Sequence, residues 1–281
     1  MPDMSFPHGD FGGLRRDVTA LLDRRRALVL LGGAAVTGLV AACSDGGSGS
    51  AATTTTTTTA GTAASGTDAT SGNPSSSGEE IPDETQGPFP ADGSNGPNLL
   101  TEEGVVRSDI TRSFAGLSGT AEGVPTGFRY TIVDAGTGRP FPGAALYLWH
   151  CTAGGRYSLY EEADQNYLRG VQVAGEDGSV TFASVFPGCY PGRWPHTHFE
   201  VFESLDSAVA GTAAVKTSQL ALPADTCEAV YTDARYGSSA GNLSRLSLET
   251  DGVFRDGAGD QLATVTGSDE EGYTVSLLVR V

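Results

Sequence analysis

The chain has 281 residues, a formal net charge of −17 and four cysteines. So acidic a balance argues against a nucleic-acid partner, since Lys216 is the only lysine and no basic run remains beyond the first residues to meet phosphates. The cysteines, at 43, 151, 189 and 227, contain no CxxC-like pair, which argues against a cysteine-ligated zinc site.

Residues 1–42 read as an export signal: basic residues ending in Arg24-Arg25-Arg26, an apolar run from Ala27 to Val40, then small residues before Cys43. The run is too short to span a bilayer. Val40-Ala41-Ala42-Cys43 resembles the lipobox of bacterial lipoproteins, which implies lipidation of Cys43 and a membrane-anchored, extracytoplasmic protein. The arginines fit either a twin-arginine signal or an ordinary positive n-region. Loss of the first 42 residues, with five arginines and four acidic residues, takes the net charge to −18. Residues 43–80 are dominated by Ser, Thr, Gly and Ala and cannot bury a core; they read as a tether with a random-coil reach of roughly 30 Å.

Residues 81–281 then make one folding unit. From Gly127 onward come short β-branched and aromatic runs closed by Gly, Pro or Asp, with turn signals such as Glu176-Asp177-Gly178. The expected strands are Phe128–Val133, Ala144–His150, Ser179–Phe182, His196–Phe202, Gln219–Leu222, Gln261–Thr266 and Tyr273–Val279. The fold class is all-β, an antiparallel β-sandwich with a short helix and long loops. The helix is expected where Asp225 and Glu228 show the spacing of a capping box before Ala229-Val230-Tyr231. Cys151, Cys189 and Cys227 allow one disulfide and one free thiol in an oxidising compartment.

Chemistry concentrates at His196-Thr197-His198, since His8 falls in the signal and His150, on an apolar run, reads as a satisfied core or second-layer histidine. Residues two apart on a strand share a face, so both imidazoles project together. Alone, such a pair is usually exposed or merely hydrogen-bonded. Upstream, however, Pro187-Gly188-Cys189-Tyr190-Pro191-Gly192-Arg193-Trp194-Pro195 forces an irregular loop able to return Tyr190 to the histidines, and Gly154-Gly155-Arg156-Tyr157 places a second tyrosine on a loop. Tyr147, Tyr160 and Tyr167 read as packing or rim residues. Glu200 shares the histidine face, which keeps open a zinc hydrolase. A non-catalytic, lipid-anchored module binding catecholic or carbohydrate ligands is a further alternative.

With Glu84-Thr85-Gln86-Gly87-Pro88-Phe89, Arg107-Ser108-Asp109-Ile110 and Ser218-Gln219-Leu220 added in this order, the chain resembles the intradiol ring-cleavage dioxygenases, which include catechol 1,2-dioxygenase and protocatechuate 3,4-dioxygenase. The resemblance covers most of residues 83–225. It implies one mononuclear non-haem Fe(III) held by Tyr157, Tyr190, His196 and His198, a catecholic substrate bound as a dianion, and cleavage by O2 to a muconate-type diacid. It further implies that Tyr190 leaves the metal and accepts a substrate proton, that Arg193 stabilises carbanion character on the ring, and that Gln219 lines the pocket. Hard phenolate oxygens suit the ferric state, and neutral imidazoles complete such a set. Only five residues separate Tyr190 from His196, where the soluble enzymes carry a longer insertion, so a trimmed pocket mouth is expected. Export also departs from those enzymes and matches extracellular members.

Overall fold

The computed structural model describes residues 78–281. The export signal, Cys43 and nearly all of the tether lie outside the described residues. Eight strands form two four-stranded sheets: β1 (Pro125–Val133), β2 (Ala145–Trp149), β3 (Arg169–Val173), β4 (Ser179–Val185), β5 (His196–Phe202), β6 (Lys216–Ala221), β7 (Thr264–Ser268) and β8 (Gly272–Arg280). One sheet runs β4-β1-β8-β7, the other β3-β2-β5-β6. The chain is thus mostly β, with few helices.

Alternation explains which faces meet. Phe128, Tyr130 and Ile132 of β1 are buried and join Val180, Phe182, Val275 and Val279 of their own sheet with Leu146, Leu148, Phe199 and Val201 of the other in one apolar cluster. The Tyr130 ring packs 5.2 Å from Phe199, and its hydroxyl shares a 2.7 Å hydrogen bond with Thr197 Oγ1. Strands β2 and β5 are buried along their whole lengths, so both of their faces are covered. The second face carries Tyr147, Trp149, Tyr157 and Phe202 in a separate cluster. His196 and His198 belong to that face.

What covers it is the irregular stretch before β1, which also closes three sheet edges. Glu84 N–H donates to Thr217 on β6, Arg107 N–H to Val171 on β3, and Ile110 N–H to Ala183 on β4. These bonds occupy edge groups that would otherwise template pairing with other chains.

Four sequence expectations need correction. The sheets are not wholly antiparallel, because β1 pairs with β8 in parallel; a period-two pattern fixes faces, not the direction of a partner. Strand β3 was not expected, since Arg169 and Gly170 interrupt its apolar run. The helix is Ala224–Val230, with Pro223 at its N-cap and no side-chain cap bond; Asp225 lies inside the first turn, so no capping box forms. A second helix, Leu205–Val209, is the one capped by a side chain, Ser204. Finally, Cys151, Cys189 and Cys227 are free, buried thiols. Each meets local acceptors or aromatic neighbours instead; Cys151 Sγ, for example, lies 3.4 Å from the Gly188 carbonyl.

Candidate metal centre

Strand β5 supplies two candidate donors directly. His196 and His198 sit one pleat apart, with their Nε2 atoms 3.1 Å from each other. The His198 ring stacks on Trp149, its β2 cross-strand partner, at 5.1 Å and 5° between planes, which fixes its orientation. His196 is fixed differently, because its Nδ1 faces the Trp194 carbonyl. A carbonyl only accepts, so the His196 proton sits on Nδ1 and the bare Nε2 lone pair points into the site.

Two loops bring the tyrosines. Tyr190 follows β4, and its hydroxyl is 3.1 Å from His196 Nε2; Tyr157 follows β2, and its hydroxyl is 3.4 Å from that of Tyr190. These loops interlock through glycines. Gly155 has φ +76°, and a Cβ there would lie 3.1 Å from Tyr190 Cβ, while a Cβ on Gly188 would collide with the Ala153 carbonyl. The second glycine of GGRY, Gly155, is therefore a packing requirement next to Tyr157. Phe89 closes the far side, its ring 5.0 Å from that of Tyr157.

The four groups are poorly satisfied by one another. Burial first, and the Arg193 guanidinium next, pull His196 down to about 3. His198 is held well below the ordinary imidazole range by burial and then by His196, so both rings are neutral at pH 7. His198 Nδ1 is buried with no hydrogen-bond partner. Whichever nitrogen of His198 carries its proton, one buried polar group is left unpaired or two lone pairs face each other. Burial, then the Tyr190 phenol, keeps Tyr157 well above the ordinary phenol range. A cation between these atoms would accept both imidazole Nε2 lone pairs, so that they no longer face each other, and would favour the phenolates. The residues thus fit a hard metal ion. Among the described residues no three His, Cys, Asp or Glu side chains gather to hold one, so the tyrosine oxygens are essential to this reading. Glu200, the carboxylate a zinc hydrolase would need, lies against Thr217, and burial with Asp92 nearby pushes it up to about 8.

Arg193 is no surface charge; it is 2 % exposed. Its Nη2 donates to Gln219 Oε1 at 2.7 Å, and Gln219 Nε2 donates to the Thr85 carbonyl at 2.7 Å. The Glu84–Phe89 motif therefore reaches the site through the Thr85 carbonyl and the Phe89 ring. Arg107 of the second motif is spent on the Arg169 carbonyl, at 3.0 Å from its Nε, outside the donor cluster. His150 is satisfied by Ser184 and the Cys151 carbonyl, Tyr147 by the Pro90 carbonyl, and Tyr160 stands at the rim against Ala91 and Asn95. Asp251, bound to Arg193 Nε at 3.1 Å, escaped sequence reasoning because it lies 58 residues away in an unpatterned stretch.

Glu84 gives this network a pH signature. Burial, then Asp256, pushes its carboxyl up from 4.5 to about 7. Between those values the folded state keeps a proton that the unfolded chain has released, so stability falls as pH rises through this window and levels off above it. Glu84→Gln should flatten that decline, changing the wild-type-to-variant difference by on the order of 2 kcal/mol across the window. Urea melts at several pH values check this, and parallel pH profiles for the two proteins would contradict it.

Comparisons with known proteins give likenesses to dioxygenases. A family model described as "Dioxygenase" matches residues 95–214. Chlorocatechol 1,2-dioxygenase of Rhodococcus opacus is 45% identical over 56 residues, which is 19% of this chain and 22% of that enzyme. Catechol 1,2-dioxygenase of a Pseudomonas species, strain EST1001, is 37% identical over 54 residues, 19% of this chain and 18% of that enzyme. The alignments thus span about a fifth of these curated relatives. A solved intradiol ring-cleavage dioxygenase from Tetranychus urticae superposes with a TM-score of 0.52 at 25% identity, covering 64% of this chain and 87% of that one. With the two tyrosines and two histidines of its sequence motifs brought together in one largely buried cluster, this chain is similar to the intradiol ring-cleavage dioxygenases.

Proposed function

We propose that the domain cleaves a catecholic ring between its two hydroxylated carbons with O2, using one Fe(III) held by Tyr157, Tyr190, His196 and His198. The observation that carries this reading is the unbroken contact chain Tyr157 Oη, Tyr190 Oη, His196 Nε2, His198 Nε2, with steps of 3.4, 3.1 and 3.1 Å. We read the two sheets, joined by their shared apolar cluster, as layers of a β-sandwich bearing this site on one outer face. When bound, a ferric ion would supply Lewis acidity toward both catechol oxygens and a sink for ring electron density.

The protein residues divide the remaining tasks. Tyr190 is the less buried tyrosine and sits on a Pro/Gly loop, so it is the one placed to swing aside and take a catechol proton on its Oη. Tyr157, 2 % exposed, keeps its place. Arg193 presents a fixed positive charge in a water-poor pocket, where it stabilises negative charge developing on the ring. Gln219 holds that guanidinium from one side and fixes the pocket wall. We also propose that the chain acts outside the cytoplasm, anchored through Cys43, so that the full-length protein partitions with membranes on cell fractionation. Among the described residues no helix is long and apolar enough to cross a membrane.

The test is a visible absorption spectrum of the iron-loaded protein before and after anaerobic addition of catechol, followed by oxygen uptake. A phenolate-to-Fe(III) charge-transfer band that shifts with catechol, then stoichiometric oxygen consumption, supports the reading. A protein colourless after ferric reconstitution refutes it. A band that shifts without oxygen consumption would make the protein a binder.

A further inference from the structure

Asp251 is fully buried, and both of its oxygens are occupied by donors from two separate segments. Its Oδ2 accepts from Arg193 Nε at 3.1 Å and from Trp194 N–H at 2.7 Å, within the loop that joins Tyr190 to His196. Its Oδ1 accepts from Val253 N–H at 2.8 Å and Phe254 N–H at 3.2 Å, at the start of the turn Phe254–Asp256. One carboxylate therefore ties the arginine loop to a distant turn. That turn faces the site: the Phe254 ring lies 6.5 Å from His196 in an edge-on contact and 6.0 Å from the Arg193 guanidinium carbon.

We propose that Asp251 is a positioning residue, which sets the direction of the Arg193 guanidinium and docks Phe254 as a wall beside His196. This rests on the function proposed above. The geometry explains why a carboxylate is required. Four donors converge on two oxygens, and one of those donors is a cation, so an isosteric amide would turn an NH2 toward two N–H groups on one side or the other. Gln219 holds Nη2 of the guanidinium while Asp251 holds Nε, so the plane is fixed by two anchors on different edges. Releasing one anchor allows the plane to rotate about the other. The hydrogen bonds of Asp251 go to Arg193, Trp194, Val253 and Phe254 and to none of the four proposed metal donors, so its loss should spare metal binding and damage turnover.

The experiment compares the iron-loaded wild type, Asp251→Asn, Arg193→Lys and the double variant, reading the charge-transfer band, kcat and KM for catechol, and urea melts. Asp251→Asn should keep the band and lose about 100-fold in kcat, the scale of one misplaced electrostatic donor, with KM changed much less. In the Arg193→Lys background the same change should cost no more than about a further twofold, because residues acting through one another are not additive. Multiplying losses, or loss of the band in Asp251→Asn alone, would overturn the proposal. If Asp251→Asn does not fold, Asp251→Glu replaces it in both backgrounds: it keeps the charge and displaces it, so the same non-additive loss in kcat is expected and additive losses overturn the idea. If the wild type itself shows no catechol response, the functional reading has failed instead. The positioning claim is then read from the urea melts, where non-additive destabilisation by the two changes supports it and additive destabilisation refutes it.

Discussion

His198→Ala yields a folded protein that stays colourless after ferric reconstitution and consumes no oxygen with catechol. The expectation follows from the donor geometry, since His198 Nε2 is one of only two imidazole nitrogens in the cluster and lies 3.1 Å from the other. Loss of residues that merely orient metal ligands costs about 10–100-fold in affinity, so loss of a donor should cost at least the upper end of that range. Destabilisation should be modest, about 1–3 kcal/mol, because the ring stacks on Trp149 but its Nδ1 has no partner to lose. His150→Ala is the informative control. That residue is equally buried and of the same type, yet its nitrogens are engaged by the Cys151 carbonyl and Ser184 Oγ. It should lose stability and keep its colour. Iron content and the visible band of the two variants decide the matter, and a His198→Ala protein with undiminished band and turnover would remove the metal centre from this place.

The contrast between these histidines also shows what could be read in the sequence. Residues 196–202 were expected as a strand with both end boundaries as observed, because a run with no Gly or Pro follows Pro195 and β-branched or aromatic side chains alternate with the histidines. The four proposed donors were legible for a related reason: each stands in a short motif whose backbone demands, such as the φ of Gly155, are local. What failed was long-range. Nothing in the pattern Thr-Val-Ser-Leu-Leu-Val shows that β8 lies parallel to β1, and nothing around Asp251 shows that it is a partner of Arg193. Strand β3 failed for a third reason. It opens on an arginine, which composition assigns to the surface, and that arginine is completely buried.

Arg169 is accordingly where the second large effect is expected. Its guanidinium is surrounded by oxygens: Ser158 Oγ at 3.0 Å, the Ser158 carbonyl at 2.9 Å, the Phe89 carbonyl at 2.8 Å, the Pro90 carbonyl at 3.2 Å and Tyr147 Oη at 3.4 Å. One side chain thus pairs backbone groups of two irregular segments that have no ladder of their own. Arg169→Met fills similar space but leaves the Ser158 and Phe89 carbonyls without this donor, at about 1–3 kcal/mol for each unpaired group, while the Pro90 carbonyl keeps Tyr147 Oη. Partial relaxation should bring the total to about 3–5 kcal/mol, read from urea unfolding of the metal-free protein. Arg129→Met, which breaks only an exposed 3.5 Å pair with Asp177, should stay within about 0.5 kcal/mol of wild type. The damage should also reach the metal. Ser158 adjoins Tyr157 in the chain, and Phe89 packs on the Tyr157 ring, so loosening both sides of that tyrosine should weaken iron binding by about 10–100-fold, as for other residues that orient a ligand. Unchanged iron affinity in a destabilised Arg169→Met protein would show that Tyr157 is held by its own loop alone, through the Gly155 and Gly188 contacts, and that the clamp serves only the fold.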